Sequence, residues 1–160
     1  VIDGNTIVLE GNKRVRLAGI KAPNKDEELG LKALEFLEKE VGKKDVYFQE
    51  DDKNPKDDLG RYRGIIYVDS KNINIALVRN GFAHIYPVMP SIIAYDAWDE
   101  FENEAREAKR GLWSEKTENE ENSIKDSITN KIRSDSETTK TTEKTTTDQK
   151  TETKNISVVK

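Results

Sequence analysis

Short segments rich in apolar and β-branched residues, bounded by polar turn residues, predict β-structure through the first part of the chain. The predicted strands cover residues 1–9, 14–20, 46–50 and 62–68. Polar turn residues at 10–13 join the first two strands as a hairpin, and those at 69–72 end the last one. Pro23 stops the second strand, since proline lacks the amide donor that a sheet requires.

Three other segments carry apolar residues at helical spacing. In residues 30–41, four aliphatic side chains share the face that we expect to meet the core: Leu31, Leu34, Leu37 and Val41. A short helix over 73–80 is expected to stop at Gly81, and a stripe from 94 to 108 that includes Trp98 predicts a last helix. The strands outnumber the helices, and they follow one another directly or after one helix, without regular βα alternation. This order predicts an α+β fold, a small β-barrel with helices packed on it.

Composition divides the chain into two parts after Trp113. Every Trp, Tyr and Phe lies within 1–114, whereas residues 115–160 contain no aromatic residue, Gly or Pro and are rich in Thr, Lys and Glu. Such a segment buries too little apolar area to offset its conformational entropy. We therefore predict one folded domain at 1–114 and a disordered tail at 115–160.

Charge and missing residue types exclude several classes of protein. The 160 residues carry a net charge of −4, which argues against broad polyanion binding but leaves room for a local basic site. The absence of cysteine excludes a disulfide scaffold and thiolate metal sites, and no apolar run approaches the ~20 residues of a membrane span. We expect a monomer, and a secreted or cell-envelope location would suit the threonine-rich tail. Because Val1 begins inside a predicted strand, we also expect a fragment or a processed form.

Five segments in series resemble motifs of the staphylococcal nuclease (thermonuclease) family. Residues 1–7 are similar to its Asp-Gly-Asp-Thr opening strand, 15–24 to its Arg-Leu-x-Gly-Ile-Asp-x-Pro-Glu segment and 57–61 to its Asp-x-Tyr-Gly-Arg signature. Residues 74–83 look like its Asn-x-x-Leu-Val-x-x-Gly-x-Ala helix, and 105–113 like its closing helix. The resemblance spans 1–113 and implies a five-stranded OB-type β-barrel with about three packed helices.

The resemblance also implies a chemistry, the hydrolysis of DNA and RNA with one bound calcium ion. Two arginines of the family balance the charge of the reacting phosphate, and Arg16 and Arg61 stand at the matching positions. A guanidinium suits this role because it offers paired donors and remains charged.

The family's carboxylates are not retained. Asn5 and Lys21 stand where two aspartates would ligate the metal, and Asn24 stands where a glutamate would act as general base. Calcium requires several oxygen ligands, and a lysine ~4 Å from a divalent ion is repelled by about 8 kcal/mol at an effective dielectric near 20. We therefore expect no intact catalytic set, no bound metal and no cofactor. Asp3 and Asp26 are the acids that a rearranged loop could supply instead.

Two interpretations of function remain open. We favour a catalytically inactive module in which Arg16, Arg61 and Lys21 bind a phosphate, a nucleic acid or a phosphorylated or acidic ligand without metal. The alternative is a weak calcium-dependent endonuclease with a rearranged ligand set that includes Asp3 or Asp26. A structural role for the two arginines, paired with acids such as Asp3, competes with both.

Overall fold

A computed structural model describes residues 1–114, which form an α+β domain. Its strands are β1 (Thr6–Leu9), β2 (Lys13–Leu17), β3 (Ile20–Lys21), β4 (Tyr47–Glu50), β5 (Tyr62–Val68), β6 (Lys71–Asn72) and β7 (His84–Ile85). Its helices are α1 (Glu28–Val41), α2 (Ile73–Arg79) and α3 (Trp98–Glu107), with short 3₁₀ turns at Glu10–Asn12 and Gly111–Trp113. Within these residues no helix is long and apolar enough to cross a bilayer. The predicted disordered tail, 115–160, lies outside the described residues.

A mixed five-stranded sheet forms the centre of the domain. Its strands follow the open order β1-β2-β5-β4, and β6 pairs with β5. Strands β1 and β2 are antiparallel, whereas β2 and β5 are parallel, so Thr6, Arg16 and Arg63 lie side by side across three strands. The predicted fold class, the number of strands in the main sheet and the number of helices are confirmed. The sheet itself is open, whereas we expected a closed barrel.

Gly19 divides the segment predicted as one strand over 14–20. Its φ of 75° lies in the left-handed region that glycine adopts without steric cost. A Cβ at this position would clash with the ring of Tyr95 and lie 2.9 Å from Trp98 Cζ3. The chain therefore turns after β2, and β3 pairs with β7 in a separate two-stranded sheet. The prediction of one continuous strand is wrong because the apolar alternation carries no information about this turn.

The first predicted strand is also shorter than expected. The regular ladder of β1 begins at Thr6, and the preceding residues contribute only an isolated bridge between Asp3 and Thr6. Hydrogen bonds from the Ile2 and Asp3 amides to the Thr6 carbonyl fold this segment back on itself. Asp3 and Asn5 consequently lie in a turn beside the sheet rather than in a strand.

Helix α1 buries only part of the predicted face, together with small residues beside it. Its buried residues are Gly30, Ala33 and Leu37, whereas Leu31 is 50% exposed. A Cβ at Gly30 would clash with the Asn24 carbonyl, so this face requires small residues where the helix approaches the preceding loop. The prediction that Leu31 belongs to the core is wrong because close backbone approach, rather than apolarity alone, selects the buried face.

The apolar core lies between the sheet and the helices and includes Trp98, which is buried as predicted. Asn74 of α2 is fully buried within it. Its Nδ2 donates to the carbonyls of Ala18 (2.8 Å) and Gly64 (3.1 Å), and its Oδ1 accepts from the Ile66 amide (3.1 Å). A buried amide with these three bonds fixes α2 against β5 and against the turn that follows β2.

Candidate phosphate-binding site

One cavity of about 550 Å³ contains every residue that the sequence singles out for chemistry. It lies where the N-terminal turn, β2, the loop after β3 and the start of β5 meet. Four basic and three acidic side chains contribute to its lining: Arg16, Lys21, Lys25, Arg61, Asp3, Asp26 and Glu27. Segments far apart in the chain therefore converge here, as their resemblance to one functional site implies.

Asn5 lies at the back of the cavity and is only 8% exposed. In the amide orientation that satisfies its neighbours, its nitrogen donates to Asp3 Oδ1 (2.8 Å). Its oxygen accepts from the Ala22 amide (2.9 Å) and from both terminal nitrogens of Arg16 (3.2 Å each). The Asn5 oxygen, at a position where the family resemblance implies a metal ligand, is thus directed to protein donors.

Arg16 is a partly buried cation whose terminal nitrogens are held by the protein. Besides Asn5, Nη1 donates to the Leu17 carbonyl and Nη2 to the Ile20 carbonyl, both at 2.9 Å. Burial, and then the neighbouring charge of Arg61, lower the pKa of Arg16 from 12.5 to about 10. The guanidinium is still charged at neutral pH, and it contributes positive potential to the cavity.

Arg61 is held by fewer contacts and presents open donors. Its Nε donates to Asp57 Oδ2 (2.7 Å) and its Nη1 to Thr6 Oγ1 (3.2 Å). Within residues 1–114, Nη2 has no protein acceptor, so Arg61 retains donors for an anion. The two arginines, which the resemblance treats alike, therefore lie in different environments.

Asp57 is the residue that orients Arg61. Burial alone would raise the pKa of Asp57, but hydrogen bonds from the Arg61 amide and side chain outweigh this effect and hold the pKa below its ordinary value. The same carboxylate accepts from the Leu59 amide (3.0 Å). The ion pair between Arg61 and Asp57 leaves the outer edge of the guanidinium open.

Lys21 and Asn24 are exposed at the mouth of the cavity. The Lys21 ammonium lies 5.7 Å from the centre of the Tyr86 ring, in the range of a cation–π contact. The Asn24 amide nitrogen donates to Glu27 Oε1 (2.9 Å), as does its backbone N–H (3.1 Å). Glu27 therefore accepts from both nitrogens of Asn24, the residue at which the resemblance implies a general base.

The side chains at the position where the resemblance implies a metal do not fit a calcium ion. Within residues 1–114, no three Asp, Glu or His side chains are grouped closely enough to hold a metal ion. Asp3 Oδ1 accepts from the backbone and side chain of Asn5, and Lys21 contributes a positive charge. This donor set does not fit calcium, which requires several hard oxygen ligands.

An α+β domain with this order of motifs and two arginines in one cavity defines a nuclease-like class of protein. The chain belongs to the staphylococcal nuclease homologue family, whose model matches residues 14–115. This match confirms the family that the five sequence motifs indicate.

Several curated proteins are similar to two thirds or more of the chain. An uncharacterized endonuclease of Escherichia coli O157:H7 is 37% identical over 128 residues, which cover 72% of this chain and 74% of that protein. The micrococcal nuclease of Shigella flexneri is 31% identical over 127 residues, covering 72% and 71%. The probable staphylococcal-like nuclease CAN2 of Oryza sativa subsp. japonica is 34% identical over 107 residues, covering 67% and 27%. The chain therefore contains a staphylococcal-nuclease-like domain.

Proposed function

We propose that this nuclease-like domain is catalytically inactive and binds the phosphate groups of nucleic acid without a metal ion. The observation that carries the proposal is the engagement of the Asn5 amide oxygen by Arg16 and the Ala22 amide. An oxygen that accepts three protein hydrogen bonds is already satisfied, so it has little to gain from a cation. The cavity is therefore suited to an anion.

Electrostatics support the same conclusion. Arg16 and Arg61 repel each other, which is one reason for the lowered pKa of Arg16. A phosphate bound beside them relieves this repulsion and accepts from the open donors of Arg61 in charge-assisted hydrogen bonds. Lys21 at the mouth adds a third positive charge. A phosphorylated or acidic protein would present similar groups, but the family relationship favours nucleic acid.

The test is binding of an eight-nucleotide oligothymidylate to Arg61→Gln in the presence of EDTA, followed by fluorescence anisotropy. We expect the wild type to bind and Arg61→Gln to lose about tenfold in affinity, since one charge-assisted hydrogen bond contributes about 1.5 kcal/mol. Arg79→Gln is the matched control, because Arg79 pairs with Glu104 on the helical side and is absent from the cavity lining. Calcium should leave the affinity unchanged.

A weak calcium-dependent endonuclease is the second candidate function. The names of the related endonucleases favour it, and Asp3 and Asp26 line the same cavity. Cleavage of the oligonucleotide that requires calcium and is lost in Asp3→Asn would establish this candidate and refute the inactive module. Failure of the wild type to bind the oligonucleotide, with binding of a phosphopeptide instead, would assign the cavity to a protein partner.

A further inference from the structure

A third arginine lies next to the two that the family resemblance predicts. Arg61 and Arg63 flank Tyr62, which packs against the core, and alternate residues of extended chain point to the same face. Arg63 also pairs in register with Arg16 across the parallel strands β2 and β5. Its charge contributes to lowering the pKa of Arg16, after burial and the charge of Arg61. Arg63 therefore lies beside Arg16, adjacent to the residues that line the cavity but not itself among them.

Arg63 has no hydrogen bond or ion pair from its side chain within residues 1–114, although it is half-buried. The neighbouring acid is Asp51, whose amide donates to the Arg63 carbonyl. The carboxylate of Asp51 is directed to the segment at 91–92, because Oδ2 accepts from Ser91 Oγ (2.6 Å) and Oδ1 from the Ile92 amide (2.9 Å), and it makes no ion pair with Arg63 within residues 1–114. A half-buried guanidinium without an acceptor carries a desolvation cost that an external anion would relieve.

We propose that Arg63 binds a second phosphate of the same ligand, so that the domain recognises a single-stranded nucleic acid through two consecutive phosphates rather than one terminal phosphate. This inference rests on the proposed function. Residues two apart in a strand are separated by about 6.6 Å, which is comparable with the distance between successive phosphates of an extended single strand. Arg61 contacts the phosphate in the cavity, and Arg63 contacts the next one along the strand.

The experiment compares two ligands, the eight-nucleotide oligothymidylate and thymidine 5′-monophosphate, across a range of salt concentrations in EDTA. Arg63→Gln is expected to weaken oligonucleotide binding about tenfold at low salt and to reduce the slope of log affinity against log salt by about 0.7, the value for one lost phosphate contact on a single strand. Affinity for the monophosphate should stay within about twofold of the wild type, because that ligand occupies the cavity without reaching Arg63.

Two further variants make the result specific. Arg63→Lys keeps the charge without the planar fork, so the salt slope should be retained and oligonucleotide affinity should fall only in part. It also serves as the test protein if Arg63→Gln fails to fold, as judged by thermal unfolding. Arg79→Gln removes the same charge away from the cavity and should bind both ligands as the wild type does.

The possible outcomes separate this inference from the proposed function. Equal weakening of both ligands by Arg63→Gln, or no weakening of the oligonucleotide, would overturn the second phosphate contact. In either case a specific loss in Arg61→Gln would still support the single-phosphate site. If the wild type binds neither ligand, both the inference and the proposed function are refuted.

Discussion

At the scale of single residues, Asp57 has the clearest energetic role in the site. It forms an ion pair with Arg61 and accepts two backbone hydrogen bonds, from Leu59 and Arg61. The pKa of Asp57 is lower in the folded protein than in the unfolded chain. As the pH falls, the unfolded state therefore binds this proton more readily than the folded state, and the contribution of Asp57 to stability is lost in acid. This contribution is fully present above the ordinary pKa of 3.8.

We predict that Asp57→Asn lowers the free energy of unfolding by about 1 kcal/mol at pH 7, because the amide keeps an acceptor for the backbone but loses the charge. The difference from the wild type should shrink as the pH falls below 3.8. Urea unfolding at pH 7 and pH 3 measures it, with Asp58→Asn at the exposed neighbouring position as control. A difference that persists unchanged at pH 3 would contradict an ionic origin.

At the scale of secondary-structure elements, the turn at Gly19 separates β2 from β3. Gly60 has nearly the same backbone conformation and provides the comparison. Gly19 has φ 75° and Gly60 has φ 74°, but only Gly19 is surrounded by side chains, those of Tyr95 and Trp98. Any side chain strains the backbone at both positions, whereas overpacking occurs at Gly19 alone.

We predict that Gly19→Ala destabilises the domain by about 3 kcal/mol, and that Gly60→Ala, with open space around its Cβ, costs about 1 kcal/mol. Chemical denaturation of the two variants separates the packing cost from the backbone cost. Equal destabilisation would mean that the contact with Tyr95 and Trp98 is unimportant and that φ alone determines both losses.

At the scale of the whole molecule, the cavity depends on segments that meet only in the folded chain. Asn5 precedes β1, Lys21 belongs to β3, and Asn24 lies in the loop before α1. Their convergence in one cavity is consistent with an intact scaffold for a metal site whose ligands have been replaced. This arrangement can be tested by restoring the acids.

We predict that the triple variant Asn5→Asp, Lys21→Asp and Asn24→Glu binds calcium, because three added carboxylates join Asp3 around one cavity. A calcium concentration 100-fold above Kd should stabilise this variant by about 2.7 kcal/mol, whereas the wild type should not respond. Thermal unfolding with calcium or EDTA measures the effect. The variant Lys53→Asp controls for added negative charge in an exposed loop. A folded triple variant without a calcium response would contradict the assignment of these positions.

Much of the architecture was predictable because its determinants are local. The short run of apolar and aromatic residues at 62–68 corresponds to β5, and Gly81 follows α2 with a φ of 72°, as expected of a helix stop. The buried face of α1 and the pairing of β3 with β7 were not predictable in the same way. These features depend on how closely one segment approaches another, and single-residue apolarity does not encode that distance.

By itself, the sequence determined the family, the order of the elements and which residue types stand at the motif positions, because each is carried by short motifs. Only the tertiary structure decided how the retained groups are used. The strand register brought Arg63 beside Arg16, and the turn before β1 joined Asn5 to the same guanidinium. Hydrogen bonding depends on position and direction in space, so the donors left open for a ligand emerge only when distant segments have met.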